Sequence, residues 1–334
     1  MRSVRLVVIL SILALIAAGA TYVLPADAYL LLPDDAKPLA AQVAVEGERP
    51  DDDGGGIFYV DVVVRKASLL EEHVPQFRPD GADSVPAHAL VPPGSSFEER
   101  RRQNLRAMSR SQEIAAAVAL RELGYDVEAD PGGALVVAVA TDAPARGKLE
   151  NGDVIVAVDG EPVQTPDELR AAIGRHEIGE SVRLTVRADG KTRTEVVATI
   201  ESPDAPRRPI VGINVEQLAD VELPIDVDID VGNVGGPSAG LAFALDVLEE
   251  LGRDVDRGHR VAATGELQLD GTVTPVGGVK QKTIGARQTD VDVFVVPAGD
   301  NAAEARRNAK GMRVIAVENF QQALRRLATL PKKR

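Results

Sequence analysis

The sequence predicts an α+β protein with two folded units behind an N-terminal membrane helix. Three observations carry this prediction: an uncharged run near the N-terminus, a strand-rich stretch over residues 125–200, and alternating strand-like and helix-like patterns over residues 210–330. The chain has 334 residues, more than one ordinary domain needs. With 44% hydrophobic and 27% charged residues, the composition is that of a globular protein.

Charge and cysteine content exclude several classes of protein. The 51 acidic and 38 basic residues leave a net charge of -13, which disfavours nucleic-acid binding because phosphate backbones require a basic surface. The chain has no cysteine, which excludes disulfides, a thiolate nucleophile and cysteine-ligated metals. We therefore expect no nucleic-acid partner, no cofactor and no metal site.

The uncharged run covers residues 6–24, and as a helix it would span about 28 Å, close to the thickness of a bilayer core. Arg2 and Arg5 precede it, so the positive-inside rule places the rest of the chain outside the cytoplasm. We predict a transmembrane signal anchor over residues 1–26, with a cleaved signal peptide as the alternative. A linker rich in Pro, Gly and Asp follows over residues 27–56.

Two elements are predicted between the linker and residue 124. Residues 57–64 are dense in β-branched and aromatic side chains and predict a strand. Residues 96–123 predict a long helix, because Ser96 can cap its start and Gly124 can end it.

The strand-rich stretch forms a unit of its own over residues 124–203. Four short strands surround one helix, whose start is marked by a capping box of Thr165 and Glu168 with Pro166 at the first helical position. This unit resembles a PDZ domain, and the residues that carry the resemblance are Ala143, Pro144, Ala145, Gly147, Leu149, Gly152, Asp153, Ile155, Val158, Asp159 and Gly160.

The PDZ resemblance implies that a peptide is captured as an added strand beside the helix at residues 167–173. It places the carboxylate-binding loop near residues 131–134, although Pro-Gly-Gly-Ala departs there from the usual Gly-Leu-Gly-Phe. A PDZ fold used only as a spacer or oligomer contact is the alternative.

A candidate nucleophile lies in the motif Gly-Pro-Ser-Ala-Gly at residues 236–240. The motif stands between a strand-like run and a helix that begins near Ala239, so Ser238 lies at a helix N-terminus, where free amides favour negative charge. The pattern also matches the nucleophile elbow of α/β-hydrolases, which needs a downstream histidine. His259 is the only histidine after the serine, and an esterase using it is the weakest alternative.

A serine without a histidine can be activated by a lysine whose pKa is lowered by burial. Two lysines, Lys280 and Lys282, follow a Gly-Gly turn in an otherwise apolar region. Helical spacing alone does not choose between them, since each shares a face with an apolar residue.

Three ordered motifs resemble the proteolytic domain of Lon-type serine peptidases: Gly-Pro-Ser-Ala-Gly at residues 236–240, Thr-Gly-Glu-Leu at residues 264–267 and Gly-Gly-Val-Lys-Gln-Lys at residues 277–282. The resemblance implies that Ser238 is the nucleophile, Lys282 the general base and Thr264 the group that supports the lysine. It assigns residues 204–334 to the proteolytic domain and residues 57–123 to its N-terminal part, with the PDZ unit inserted. It also suggests a homo-oligomer.

The chain departs from this family at two places. Gly235 stands where many members have an acidic residue three positions before the serine. No P-loop is present, because the single Gly-Lys-Thr, at residues 190–192, has Thr185 where the first glycine belongs. The sequence therefore predicts an ATP-independent, membrane-anchored serine endopeptidase that cleaves unfolded or exposed protein segments. The alternative is an idle catalytic domain in a PDZ scaffold that recruits another protease.

Overall fold

A computed structural model describes residues 19, 21–45, 54–90, 97–188, 190–203 and 205–333. Within these residues no helix is both long enough and apolar enough to cross a membrane. Most of the predicted anchor lies outside the described residues, so the prediction of a transmembrane helix stays a prediction.

The described part of the chain folds into helices and strands that alternate along its length. The helices are α1 (Leu69–His73), α2 (Ala87–Leu90), α3 (Phe97–Glu122), α4 (Pro166–Ile173), α5 (Gly240–Glu250), α6 (Val279–Gln288), α7 (Asp300–Asn308) and α8 (Phe320–Leu327). The strands are β1 (Pro25–Pro33), β2 (Lys37–Pro38), β3 (Val43–Val45), β4 (Gly56–Tyr59), β5 (Val62–Ser68), β6 (Asp83–Pro86), β7 (Glu128–Val139), β8 (Val154–Val158), β9 (Glu161–Pro162), β10 (Ser181–Ala188), β11 (Lys191–Ala198), β12 (Ile200–Glu201), β13 (Pro209–Ile210), β14 (Ile213–Glu222), β15 (Val227–Ile229), β16 (Arg260–Ala263), β17 (Glu266–Leu267), β18 (Val273–Thr274), β19 (Val293–Pro297) and β20 (Arg313–Val317).

The larger unit is built on a five-stranded sheet of order β2-β4-β16-β19-β20. Strands β4, β16, β19 and β20 are parallel. Every residue of β19 is buried, as expected for a parallel strand covered on both faces. Helices α3, α5 and α8 pack on one face, and α6 and α7 pack on the other. This arrangement brings the start of α5, the end of β16 and the start of α6 together at one end of the sheet.

The smaller unit is a six-stranded sheet of order β11-β10-β8-β7-β14, with β9 paired to β8. Helix α4 covers its core through Leu169, Ala172 and Ile173. The Thr165 half of the predicted capping box is present, since the backbone amide of Glu168 donates to the Thr165 hydroxyl at 3.1 Å. The Glu168 carboxylate accepts instead from the backbone amide of Gln164 at 2.6 Å.

Strand β14 lies in the smaller unit, although the sequence assigns residues 204–334 to the larger one. It pairs antiparallel with β7 along its whole length, from Ile213 opposite Val139 to Glu222 opposite Glu128. The chain therefore leaves the smaller sheet only after residue 222. An alternating strand pattern gives no signal of which sheet will accept the strand.

The segment predicted as a linker, residues 27–56, is largely part of the fold where it is described. Strand β1 is the central strand of a three-stranded sheet of order β5-β1-β6, and β2 adds to the edge of the larger sheet. Leu39 and Val43 are fully buried in the main core. The linker prediction is wrong for residues 27–45. Pro and Asp at the turns gave this segment the composition of a linker, although it contains short strands with buried residues.

Candidate active site and peptide groove

The nucleophile turn lies directly before α5. Gly236 has a positive φ of 97°, which glycine adopts at no steric cost, and residues Pro237–Ala239 form one turn of 3-10 helix. Pro237 has no N–H, and the amides of Ser238 and Ala239 have no acceptor four residues earlier within the helix, so these two amides can stabilise a developing oxyanion. The structure thus places Ser238 at a helix N-terminus, as the sequence predicts.

Helix α3 fixes this turn from the side. The amide of Gly236 donates to the Asn104 carbonyl at 2.8 Å, and the Ser111 hydroxyl donates to the Pro237 carbonyl at 3.1 Å. A Cβ on Gly235 would lie 2.8 Å from the Cβ of Asn104. Gly235 is therefore required by close helix packing, which explains why this position carries no acidic side chain.

Ser238, Thr264 and Lys282 form one hydrogen-bonded group. The Nζ of Lys282 lies 2.7 Å from the Ser238 Oγ and 3.0 Å from the Thr264 Oγ1. The Thr264 hydroxyl in turn donates to the Ser238 carbonyl at 3.0 Å. The Thr264 hydroxyl uses its only proton in that bond, so its oxygen accepts a hydrogen bond from the Lys282 Nζ. The lone pair of a neutral Lys282 is then directed at the Ser238 hydroxyl.

Lys282 is 3% exposed, and burial lowers its pKa to about 8, although the negative charge of Asp61 partly opposes this shift. A substantial fraction of Lys282 is therefore neutral in weakly alkaline solution. Lys280 lies elsewhere on the same helix, with its Nζ 2.6 Å from Asp83 Oδ1. Of the two lysines that helical spacing leaves open, only Lys282 contacts Ser238.

Asp61 is held beside this group by residues of the segment predicted as a linker. The Nζ of Lys37 bonds to Asp34 at 2.8 Å and to Asp61 at 3.2 Å. Asp61 lines the same cavity as Ser238 and Lys282. No sequence motif marks Asp34, Lys37 or Asp61. Asn104 and Ser111 carry no sequence signal either, because the role of these two residues depends on where α3 packs.

The cavity over the serine holds about 400 Å³ and is open to solvent. Its walls are apolar side chains from β1, β5, α2 and α3, including Leu31, Val62, Leu90 and Met108. It is large enough for a side chain and backbone of an extended peptide at the nucleophile.

His259 lies at the opposite end of β16 from Thr264. Its Nε2 is 2.8 Å from the Pro331 carbonyl oxygen, and its Nδ1 is 3.9 Å from Asp292. Since residues 260–263 separate it from the catalytic end of the strand, the esterase alternative that needs His259 beside Ser238 is wrong.

A second candidate site lies between α4 and the free edge of β14. A groove of about 330 Å³ is walled by Leu169 and Ile173 on the helix and by residues 208–215 on the other side. Gly212 has a φ of 77°, and a Cβ there would lie 2.3 Å from that of Ala143, so only glycine fits this turn. An edge strand beside a helix can accept an extended peptide as a further strand.

The loop predicted to bind a carboxylate, residues 131–134, does not line this groove. It lies within β7, where Pro131 pairs with Ala219 and Ala134 pairs with both Gln217 and Ile155. The turn next to the groove is instead Ile-Val-Gly-Ile at residues 210–213, a hydrophobic-Gly-hydrophobic pattern that is visible in the sequence.

Two protein families match parts of the chain. Residues 121–199 match the family described as PDZ domain, and residues 207–329 match the Lon protease (S16) C-terminal proteolytic domain. The chain thus carries a PDZ domain and a Lon-type proteolytic domain, which confirms both predicted domain types. Strand β14 falls within the second match although it completes the PDZ sheet.

Curated relatives agree with the second family. The chain is 33% identical over 113 residues to Lon protease 2 of Bacillus subtilis, covering 32% of this chain and 20% of the relative. It is 40% identical over 83 residues to a mitochondrial Lon protease homolog of Ostreococcus lucimarinus, covering 25% of this chain and 9% of the relative. The chain therefore spans one fifth or less of these relatives, and their shared domain supports a serine peptidase.

Solved structures similar to the chain include PDZ domains of SdrC-like proteins. That of Listeria monocytogenes is 24% identical, covers 25% of this chain and 87% of its own, and has a TM-score of 0.24. That of Listeria innocua is 25% identical, covers 25% of this chain and 92% of its own, and has a TM-score of 0.23.

Proposed function

We propose that this protein is an ATP-independent serine endopeptidase that uses a Ser238-Lys282 dyad, with its PDZ domain recognising peptide or protein segments. The observation that carries the proposal is the 2.7 Å contact between the Ser238 Oγ and the Nζ of a buried lysine. ATP independence rests on the lack of a P-loop in the 334 residues.

In the proposed mechanism neutral Lys282 accepts the Ser238 proton as Oγ attacks the scissile carbonyl carbon. The carbonyl oxygen becomes an oxyanion next to the backbone amides of the first turn. When the C–N bond breaks, protonated Lys282 returns the proton to the leaving amine. Water then attacks the acyl-enzyme, again with Lys282 as base, and Ser238 is restored. Thr264 keeps the lysine nitrogen aligned throughout.

Membrane attachment is part of the proposal. It rests on the uncharged run at residues 6–24 and the flanking arginines, which favour a single-pass anchor with the catalytic domain on the extracytoplasmic side. Fractionation of cells that produce the full chain tests it, since recovery only in the soluble fraction would contradict an anchor.

The proposed peptidase activity is tested by incubating the full chain in detergent with an unstructured protein, without nucleotide. We expect cleavage whose kcat/KM rises about tenfold per pH unit below pH 8 and levels off above it, since the neutral fraction of Lys282 rises with pH through a pKa of about 8. Fragments are followed by mass spectrometry. Ser238→Ala is expected to produce none.

Equal cleavage by wild type and Ser238→Ala would refute the peptidase assignment to this site. No cleavage by either form would favour the alternative of a PDZ scaffold that recruits another protease.

The groove between α4 and β14 is proposed as the peptide site of the PDZ domain. Arg170 and Arg208 both line it, so a peptide with a free C-terminal carboxylate should bind better than its amidated form. We expect Arg208→Glu to weaken binding of the free acid about tenfold, as measured by fluorescence anisotropy. Arg207→Glu is the control, because the neighbouring Arg207 does not line the groove. Equal affinity of the acid and the amide for wild type would contradict this placement.

A further inference from the structure

A second cavity adjoins the catalytic one. It holds about 470 Å³ and shares five lining residues with the cavity over Ser238: Val62, Val64, Leu90, Asn233 and Gly235. Because the two cavities share these walls, they lie next to each other and together form a cleft that is longer than a single side chain requires.

One wall of this cleft is an edge strand. Strand β5 pairs with β1 on one side, and no other described strand pairs with it. Val63 and Val64 are 41% and 39% exposed, which is high for valines in a strand. An unpaired strand edge offers backbone donors and acceptors to a further extended chain. A substrate segment bound along β5 would therefore run from the catalytic cavity into the second cavity.

The second cavity differs from the first in its charge. Helix α3 contributes Arg100 and Arg101 to its lining. The Arg101 Nη2 lies 3.4 Å from the Asn233 Oδ1, and among the described side chains no carboxylate forms a salt bridge with either arginine. Two guanidinium groups thus face the cleft of a protein whose net charge is -13. Their field attracts acidic groups to a position a few residues away from the scissile bond.

We propose that Arg100 and Arg101 form a subsite that binds acidic residues of the substrate. The preferred substrates are then extended segments with an apolar residue in the cavity over Ser238 and aspartate or glutamate a few residues away. This inference rests on the proposed peptidase function. It adds a substrate class that the catalytic group alone does not define, because Ser238, Thr264 and Lys282 contact only the reacting bond.

The test uses internally quenched peptides and the full chain in detergent. One peptide series has an apolar residue in the centre and an Asp-Asp pair placed two to five residues away on either side, and a matched series has Asn-Asn there. We expect wild type to cleave at least one Asp-Asp peptide about tenfold faster in kcat/KM than its Asn-Asn partner, mainly through a lower KM. Added salt should reduce this preference because it screens exposed charges.

The variant Arg100→Gln/Arg101→Gln should cleave the Asp-Asp and Asn-Asn series with equal kcat/KM. Arg102→Gln is the matched control and should keep the preference, since Arg102 is exposed and lines neither cavity. Cleavage of both series at equal rates by wild type would overturn the subsite while leaving the peptidase intact. Failure to cleave any peptide of either series would instead overturn the proposed function and the subsite with it.

Discussion

Replacing Lys282 with methionine is expected to lower kcat/KM by at least about a thousandfold, because the hydroxyl of Ser238 would lose the base that contacts it. Methionine has a similar length and no charge, so it should fill the buried site without leaving an unpaired polar group. The lowered pKa of Lys282 shows that its charged form is disfavoured there by burial. The melting temperature should therefore stay equal or rise, and this separates loss of chemistry from loss of fold.

Lys280→Met is the matched control for this experiment. Lys280 lies on the same helix but pairs with Asp83 and is 29% exposed at its side chain. Its removal should change kcat/KM by less than about threefold, since an exposed ion pair contributes little. If Lys282→Met retained more than a tenth of the activity of the wild type, the assignment of Lys282 as the base for Ser238 would be wrong, whatever the effect of Lys280→Met.

Replacing Gly285 with alanine is expected to lower stability by about 3 kcal/mol, an effect typical of severe overpacking. A Cβ on this residue of α6 would lie 1.7 Å from the carbonyl oxygen of Asp34, a backbone atom that cannot move aside as a side-chain end can. The segment around Asp34 must shift away from α6, and Lys37 and Asp61 would shift with it. We expect a fall in melting temperature of about 6 to 12 °C, measured by circular dichroism.

Gly277→Ala serves as the control for Gly285→Ala. A Cβ at Gly277 meets no atom within 4 Å, and its φ is not in the left-handed region. Its melting temperature should stay within about 2 °C of the wild type. A Gly285→Ala variant with an unchanged melting temperature would show that the segment around Asp34 does not pack against α6.

Local features of the sequence predict the elements that carry the chemistry. The turn at Ser238, the Gly-Gly turn before α6 and the cap at Thr165 all depend on residues within a few positions of one another. Caps and glycine turns act through backbone geometry that neighbours in the sequence determine. The helices predicted over residues 96–123 and from near Ala239 are confirmed as α3 and α5.

Pairing between distant segments could not be predicted in this way. Strand β14 lies between the predicted PDZ unit, which ends at residue 203, and the nucleophile, and its alternating pattern suits an edge strand of either sheet. Strands β1 and β2 have prolines at their ends and lie in an acidic segment, so composition indicated a linker. The positions of β14 and of β1 and β2 are decided by pairing and burial against segments that are distant in the sequence.

The sequence by itself therefore determined the candidate residues of the dyad, the two domain types and the turns that hold each reactive group. Only the tertiary structure decided that Lys282 rather than Lys280 reaches the serine by geometry, and that Asn104 and Ser111 of α3 hold the nucleophile turn. It also decided that β14 lies beside the groove next to α4 and that Arg100 and Arg101 line the cavity next to the one over Ser238. The physical reason is that turns and caps are set by adjacent residues, whereas burial, charge proximity and strand pairing depend on contacts between segments that the sequence keeps far apart.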